Sequence, residues 1–405
     1  MLLTWAASSG LNPTLSLDFL TPVLDGRITA SGGANGTRVN SSGLIVAATT
    51  PRFDYDPVTL ACKGLLVEEA RTNLLTRSQD FADASWSASA ATITASAAIS
   101  PDGATNGALL KEGSTTARHF IGRSATVAVS SGGDYTFSVF AKAAGRTKIV
   151  MLVAGSDLKD RTFDLSNGTS AVGQVVVTNP TSWSIVSAGN GWYRCSITFT
   201  AAAASTDPRI YLSNGSSADY LGDNTSGAYL FGAQLEAGSF PTSYIPTAGS
   251  TVTRSADTCA LPTTGWYNAA QGTLFMDATF IGTLDSSSRS VRISDGTTAN
   301  IHQVGRFSNL AIGSTDVSSV TQASLSGSVN VVAGTPLRMA YAYASNDFAY
   351  CSGAGTVSTD ASGSLPTVSE MGWGGTLYTS PLNAYLRSLR YYPRRLSNQQ
   401  LQVLT

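Results

Sequence analysis

Alternation of apolar and other residues with a period of two runs through the chain from about residue 77 to residue 246. The segments 135–142, 192–199 and 229–235 carry aromatic, branched or small apolar residues at every second position. Such a pattern is typical of half-buried antiparallel strands. Asn-Gly and Asp-Gly pairs, which adopt the positive φ of tight turns, occur at 102–103, 167–168, 190–191 and 214–215. These features predict a jelly roll of two sheets over residues 77–250.

A second run of alternating segments begins after a Pro- and Gly-rich joint at residues 241–250. The strand-like segments 272–280, 337–343 and 384–393 predict a second β-sandwich over residues 259–405. A short helix is expected at its end, because Ser397 can cap it and Gln400 can complete a capping box. Leu396 and Leu401 would then pack together. Residues 68–75 are a candidate for a second short helix.

Residues 1–76 show no sustained period, because glycine-containing turn sequences interrupt every apolar run. We interpret this segment as an extended N-terminal arm that wraps over the following domain or docks on a neighbouring protein. The predicted fold is therefore all-β. It consists of that arm followed by two antiparallel jelly-roll β-sandwiches.

Composition narrows the classes of partner. Charged residues make up 13% of the 405 residues, against about 25% in ordinary soluble domains. The net charge of −1 offers no basic excess for nucleic acid. Without a run of 18 apolar residues, the sequence predicts no membrane insertion. The start of the chain lacks a cationic segment, so no signal peptide is expected.

Four cysteines lie far apart, at positions 62, 195, 259 and 351, and none forms a Cys-x-x-Cys pair. Their spacing does not match that of a zinc site. Each lies in a hydrophobic or strand-like context, which favours buried free thiols over disulfides. Free thiols are the state expected for a protein that is assembled in a reducing cytoplasm.

Three separated segments carry a resemblance to a known family. They are Pro51-Arg-Phe-Asp-Tyr-Asp-Pro57, Gly64-Leu-Leu-Val-Glu-Glu-Ala-Arg-Thr-Asn-Leu-Leu75 and Gly232-Ala-Gln-Leu-Glu-Ala-Gly-Ser-Phe-Pro-Thr-Ser-Tyr-Ile-Pro-Thr247. Their order and spacing resemble those of tailed-bacteriophage virion structural proteins of the tail-fibre and minor structural type. In that family such segments bracket a carbohydrate-binding-module-like jelly roll. The resemblance covers roughly residues 15–258.

The C-terminal half resembles the laminin-G and concanavalin-A-like lectin fold. The strand opening at Gly272, the run Gly372-Trp-Gly-Gly375 and the closing strand from Ala384 into Leu396-Ser-Asn-Gln-Gln-Leu401 carry this resemblance. It implies a lectin-like domain at residues 259–405.

Residues suited to catalysis are scarce. Only two histidines occur, His119 and His302, in different predicted domains, so a Ser-His-Asp arrangement has little to build on. Glu68 and Glu69 would point to opposite faces of a strand, whereas glycoside hydrolysis needs two facing carboxylates. We expect Glu68 to pair with Arg71 and to fix the arm. No catalytic residue is predicted, and the chain is expected not to be an enzyme.

Metal and glycan contacts are the remaining candidates. The loops 213–219 and 222–224 offer oxygen ligands but lack the spacing of a calcium loop, so no metal site or cofactor is predicted and structural calcium stays open. Tyr211 and Tyr220 lie beside polar loop residues and are the candidate glycan-binding residues. Trp183 shares that setting, whereas core packing is the better interpretation for most aromatic residues.

The expected function is that of a bacteriophage virion protein, a tail-fibre or baseplate adhesin that contacts host-surface polysaccharide without catalysis. Two alternatives remain, a capsid decoration or head-fibre protein and a virion-associated glycan hydrolase. The arm would bind other virion proteins, and the chain would form a homotrimer or another cyclic homo-oligomer. The protein would be assembled in the host cytoplasm and exposed on the particle surface.

Overall fold

The computed structural model of the chain describes residues 11–48, 50–155, 158–176, 178–282, 287–374 and 382–405. The start of the chain, for which no signal peptide is expected, and Gly375 of the lectin-like motif lie outside these residues. No helix among the described residues has the length and apolar character needed to cross a bilayer.

Strands dominate the described residues, and one short helix closes the chain. The elements are β1 (Leu15–Asp18), β2 (Thr29–Ser31), β3 (Thr37–Val39), β4 (Ile45–Ala47), β5 (Phe53–Tyr55), β6 (Cys62–Val67), β7 (Arg71–Asn73), β8 (Trp86–Ser89), β9 (Ala91–Ile99), β10 (Thr105–Glu112), β11 (Thr116–Arg118), β12 (Phe120–Arg123), β13 (Val127–Ala128), β14 (Asp134–Ala144), β15 (Lys148–Ala154), β16 (Lys159–Asp164), β17 (Thr169–Val172), β18 (Ser182–Ser187), β19 (Tyr193–Thr200), β20 (Ser205–Ser213), β21 (Asp219–Leu221), β22 (Gly227–Ala237), β23 (Val252–Arg254), β24 (Thr258–Pro262), β25 (Gln271–Phe280), β26 (Ser288–Ser294), β27 (Ile301–Phe307), β28 (Leu310–Val317), β29 (Val320–Asn330), β30 (Pro336–Ala344), β31 (Asp347–Ser352), β32 (Ser358–Asp360), β33 (Glu370–Gly374), β34 (Ala384–Tyr392) and α1 (Asn398–Leu404).

The inserted sandwich spans strands β8 to β22 and consists of two antiparallel sheets, beside which β11 and β21 form a separate two-stranded ribbon. One has the order β18-β19-β14-β22-β10-β9 and the other β17-β16-β15-β20-β12-β8. Their inward faces enclose one apolar core that includes Phe137, Val139, Ile149 and Ile197. The period-two pattern builds this core because alternate side chains of a strand point to the same face.

The terminal sandwich draws strands from both ends of the chain. One sheet has the order β32-β31-β30-β25-β34-β6-β5, with β1 also pairing β34, and the other has the order β2-β24-β33-β26-β27-β28-β29. Their core includes Trp373, Met276, Tyr341 and Tyr391. The all-β class with antiparallel jelly-roll sandwiches is therefore confirmed.

The segment predicted as an extended arm contributes strands to the terminal sandwich. β1 and β6 pair with β34, β2 pairs with β24, and β5 extends the sheet beyond β6. Leu15, Leu17 and Phe19 are buried in the shared core. Because the gaps in the apolar pattern fall at turns between very short strands, the sequence did not reveal this pairing.

A two-stranded ribbon marks where the inserted sandwich leaves and rejoins the terminal one. β7 and β23 are antiparallel neighbours, with Asn73 opposite Val252 and Arg71 opposite Arg254. Residues 68–75, considered for a helix, thus carry a short strand. The terminal sandwich is interrupted in sequence but continuous in space.

The C-terminal helix α1 follows the predicted local chemistry. The Ser397 side chain accepts a hydrogen bond from the Gln400 N–H, and the Gln400 side chain accepts one from the Ser397 N–H, so the capping box is confirmed. Leu396 and Leu401 are buried against Phe275 and Cys351 on the outer face of the sheet. None of the four cysteines forms a disulfide; three of them are buried as predicted, whereas Cys62 is only half-buried.

Candidate functional site

The structure buries the first predicted glycan-binding residue, Tyr211, whose exposed fraction is 2%. Its ring stacks on Phe120, with 4.6 Å between ring centroids. Val150, opposite it across the ladder, and Ala218 from the following loop join the same apolar cluster. Tyr211 does face away from the main core, but this cluster covers the ring and leaves it no face for a sugar.

Tyr220, the second candidate, is 6% exposed. Its hydroxyl donates to Glu112 Oε2 at 2.6 Å, and the Arg146 guanidinium lies 5.1 Å from its ring centroid. Arg146 also forms a two-pronged ion pair with Glu112. Tyr220 therefore belongs to a closed polar cluster. Trp183 is the most accessible of the three aromatic candidates, because it is 40% exposed, although Arg161 stacks on its ring.

The loops considered for calcium use their polar groups in turns. Asp223 Oδ1 accepts hydrogen bonds from the N–H groups of Thr225 and Ser226, and Asn214 Oδ1 accepts from those of Ser216 and Ser217. Among the described residues, no group of three or more His, Cys, Asp or Glu side chains could hold a metal ion.

Glu68 is the centre of a buried ionic cluster, but its partner is not Arg71 as predicted. Glu68 pairs with Arg52 at 2.8 Å and with Arg254 at 3.6 Å, and Asp257 pairs with the same arginines. Burial alone would raise the pKa of Glu68, yet Arg254 and Arg52 hold it at about 2.

Arg71 pairs instead with Glu69, the neighbour on the opposite side of the chain. Glu68 and Glu69 point to different environments, as expected for adjacent residues in extended backbone. Glu236, in the third of the segments that carry the family resemblance, is buried and accepts from the N–H and hydroxyl of Thr242.

Both histidines are buried. The His119 ring nitrogens lie 2.6 Å and 3.1 Å from the carbonyl oxygens of Ala90 and Tyr220. His302 stacks on Tyr343, with its Nδ1 2.7 Å from Thr315 Oγ1, and burial lowers the pKa of His302 to about 3. Neither ring contacts a carboxylate in the described part of the chain.

The outer face of the terminal sandwich carries a more accessible site across β26, β27, β28 and β29. We call this concavity, of about 430 Å³, the outer groove. It is lined by Ser288, Gln303, Phe307, Leu310, Ile312, Ser314, Asp316, Thr321, Ser324, Leu325 and Ser326.

A row of hydrogen bonds fixes the polar floor of the outer groove. Gln303 Oε1 accepts from Ser290 Oγ at 2.8 Å and from Arg292 Nε at 3.1 Å, and Gln303 Nε2 donates to Ser314 Oγ at 2.7 Å. The strand register places Arg292, Gln303, Ser314 and Ser324 side by side. The floor is thus a preorganised polar row.

The two ends of the outer groove differ in chemistry. At one end, Phe307 and Leu310 are 47% and 41% exposed. At the same end, opposite Phe307 across the ladder, the buried Ser288 Oγ has no hydrogen-bond partner among the described residues, and at the other end, opposite Ile301, the same holds for Asp316 Oδ1. Unpaired buried polar atoms in a native structure call for an explanation, and a ligand that donates hydrogen bonds supplies one.

Sequence reasoning missed these residues for a specific reason. On β27 the polar side chains of His302 and Arg306 point into the sandwich with Val304, while Phe307 lies on the outer face with Gln303. The aromatic residue therefore occupies the face that the alternation would assign to polar residues. The sequence signal that could have revealed the groove is that Phe307 alternates with Gly305 and Gln303, so that all three lie on one face of the strand.

No family model matches the chain, and no curated protein matches it. Solved structures overlap weakly. The receptor-binding domain of botulinum neurotoxin mosaic serotype C/D overlaps at a TM-score of 0.29 and 8% identity, over 36% of this chain and 39% of the other. The chain thus spans well under two thirds of that domain.

Two further overlaps are with paired β domains. The CBM22-1-CBM22-2 tandem domain from Paenibacillus barcinonensis Xyn10C has a TM-score of 0.26 and 10% identity, over 81% of this chain and 99% of the other. Domains LG4-5 of the mouse laminin alpha1 chain have a TM-score of 0.26 and 12% identity, over 67% and 87%. At such low TM-scores, neither overlap identifies a ligand for this chain.

Proposed function

We propose that this chain is a non-catalytic glycan-binding protein and that the outer groove holds the sugar. The observation that carries the proposal is a groove that has the exposed Phe307 ring at one end, a fixed polar row across its middle, and unpaired oxygens of Ser288 and Asp316 at its two ends. A sugar has an apolar face of C–H groups and a rim of hydroxyls. The groove offers a matching aromatic surface and hydrogen-bonding groups.

The chemistry of binding follows from this geometry. The C–H face of one sugar unit would lie on Phe307, and its hydroxyls would donate to Ser288, which is opposite Phe307 across the ladder. Further units of the glycan would exchange hydrogen bonds with Ser314 and Ser324 and donate to Asp316, which lies about 20 Å along β28 from the Phe307 end. Because Gln303 is already held by Ser290, Arg292 and Ser314, little side-chain freedom is lost on binding. Each contact is weak, so useful affinity requires several copies, and we propose a homotrimer or another cyclic oligomer.

The proposal excludes glycan hydrolysis as the activity of this groove. Hydrolysis requires two carboxyl groups across the sugar, roughly 5–10 Å apart. Asp316 is the one carboxylate among the described residues that line the groove. Glu68 and Glu112, which could act as acids elsewhere, are held by arginines and by hydroxyl groups.

We further propose that the chain is a structural protein of a tailed-bacteriophage virion, a tail-fibre or baseplate adhesin for host-surface polysaccharide. The three sequence segments that resemble this family and the scarcity of charged residues support it. Since β1, β2, β5 and β6 belong to the terminal sandwich, the contact with other virion proteins would use the exposed side of that segment, where Val23 and Val58 are 71% and 59% exposed.

A glycan array tests the proposal, with fragments of host lipopolysaccharide and capsule as probes. The full chain is required, because residues 259–405 alone lack the four N-terminal strands of the terminal sandwich. We expect binding that Phe307→Ala abolishes and Val320→Ala preserves, since Val320 is an exposed apolar residue of the same sheet outside the groove lining. Silence of the full chain across all host glycans would overturn the proposal.

Two further assays separate the alternatives. Release of reducing ends during incubation with host polysaccharide would establish hydrolysis instead of simple binding. Antibody labelling of intact particles would distinguish a tail location from a head location, which a decoration protein requires.

A further inference from the structure

A second concavity, of about 280 Å³, lies where the two sandwiches meet. We call it the sandwich cleft. The inserted sandwich contributes Arg194 and Phe140 to it, and the N-terminal segment and terminal sandwich contribute Arg38, Lys63 and Tyr385. Its volume is close to the lower limit of small-molecule pockets, roughly 300 Å³, so it suits a single small unit better than an oligosaccharide.

The acidic side chains of the sandwich cleft already accept several hydrogen bonds. Asp54 Oδ1 accepts from the Val39 N–H at 2.6 Å, and Asp54 Oδ2 accepts from the Tyr385 hydroxyl at 3.0 Å. Both oxygens of Glu68 accept from Ser243, and Arg52 adds a further bond. These carboxylates therefore have little capacity left for a ligand.

The arginine side chains of the sandwich cleft, in contrast, have hydrogen-bond donors that are not used. Arg194 donates from Nη1 to the Thr242 carbonyl at 2.7 Å and from Nη2 to Ser138 Oγ at 3.1 Å, but its buried Nε has no acceptor among the described residues. Arg38 makes one long hydrogen bond, 3.5 Å to the Phe53 carbonyl, and its buried Nε likewise lacks an acceptor in the described chain.

Two neighbouring groups complete the electrostatics. Lys63 Nζ lies 3.8 Å from Asp54 Oδ2 and 3.8 Å from the Tyr385 ring centroid, so it has an ion pair without a close hydrogen bond. Glu236 connects to Arg194 only through Thr242, whose carbonyl accepts from the arginine and whose N–H donates to the carboxylate. Asp56 Oδ1 accepts from the N–H groups of Val58 and Thr59. Apart from Asp56 Oδ2, the acceptors of the sandwich cleft are thus largely used, whereas Arg38 and Arg194 keep spare donors.

We propose that the sandwich cleft binds one carboxylate-bearing sugar unit of the hexuronic acid class. Its carboxylate would accept hydrogen bonds from Arg38 and Arg194, one from each side of the cleft, since guanidinium groups bind carboxylates in strong charge-assisted pairs. Its ring would lie against the exposed Val186, and its hydroxyls would lie against the serine side chains 184 and 187. This site is separate from the outer groove and does not depend on the function proposed for it.

Titration calorimetry of the full chain with D-glucuronate, D-glucose and acetate tests the proposal. We expect glucuronate to bind at least about tenfold more tightly than glucose, because glucose lacks the group that the arginines recognise and has only the weak outer groove to bind to. Acetate should bind at least about tenfold more weakly than glucuronate. Equal affinity for acetate would overturn the assignment to a sugar, and no binding of glucuronate would overturn the site.

Variants locate the binding. Arg38→Gln and Arg194→Gln should each weaken glucuronate affinity about tenfold or more, whereas Arg118→Gln, which removes the same charge from an exposed strand, should not. Because Arg38 makes only one long hydrogen bond, Arg38→Gln should fold normally. It therefore tests the site even if Arg194→Gln fails to fold. Unchanged glucuronate affinity in Arg38→Gln would refute the site. Gln303→Ala, a change in the outer groove, should leave glucuronate affinity at the sandwich cleft unchanged.

Discussion

The N-terminal segment should be indispensable for folding of the terminal sandwich. Seven of its side chains, each at most 8% exposed, belong to the shared core: Leu15, Leu17, Phe19, Ile28, Phe53, Leu65 and Val67. Burial of one such side chain contributes about 1.5–3 kcal/mol, so together they supply about 10–20 kcal/mol. That gross contribution is as large as the net stability of a domain, about 5–15 kcal/mol.

Two polypeptides test this reasoning. The fragment 259–405 should show no cooperative thermal transition and poor amide dispersion in two-dimensional NMR spectra. A chimera in which a tight Asn-Gly turn joins Asn73 directly to Val252 should fold, because these residues are opposite each other in the ribbon of β7 and β23. A fragment 259–405 that unfolds cooperatively by itself would refute the reasoning.

Other consequences concern the buried charges and the helix cap. Glu68→Gln should lower the free energy of unfolding by about 3–5 kcal/mol in urea titrations, because Arg52 and Arg254 lose a buried counter-charge; Glu370→Gln, without an ion pair among the described residues, should change it little. Because the pKa of Glu68 is lowered from 4.5 to about 2 on folding, its contribution is complete above about pH 4.5 and is lost as pH falls through 2. An unchanged acid dependence of unfolding in Glu68→Gln would contradict that assignment. Ser397→Ala should cost about 1 kcal/mol by loss of the cap, measured from the thermal midpoint.

The sequence predicted the parts of the fold that depend on local pattern. Period-two alternation identified the long strands of both sandwiches, and the capping box of Ser397 and Gln400 identified the final helix. The strands of residues 15–67 escaped because most are three or four residues long, too short to show a period. Their partners on β24 and β34 lie some 200 to 380 residues away in sequence, beyond any local signal.

The candidate sites were less predictable, because they depend on what covers a residue. Tyr211 lies beside polar loop residues in the sequence and faces away from the main core, but Phe120 and the loop at Ala218 cover it. Glu68 has Arg52 and Arg254 as partners, and no sequence spacing distinguishes them from Arg71. Phe307 was overlooked because polar residues of β27, among them the buried His302, face the core. The aromatic residue therefore lies on the outer face, where the sequence pattern would place polar residues.

Chemical-shift mapping on the full chain tests the central claim most directly. A host polysaccharide fragment is titrated into labelled protein while the side-chain amide of Gln303 and the ring of Phe307 are observed. Saturable shifts of these groups, with an intact polysaccharide recovered afterwards, are the predicted result. Shifts confined to the inserted sandwich, or a cleaved polysaccharide, would contradict a binding groove on the outer face of the terminal sandwich.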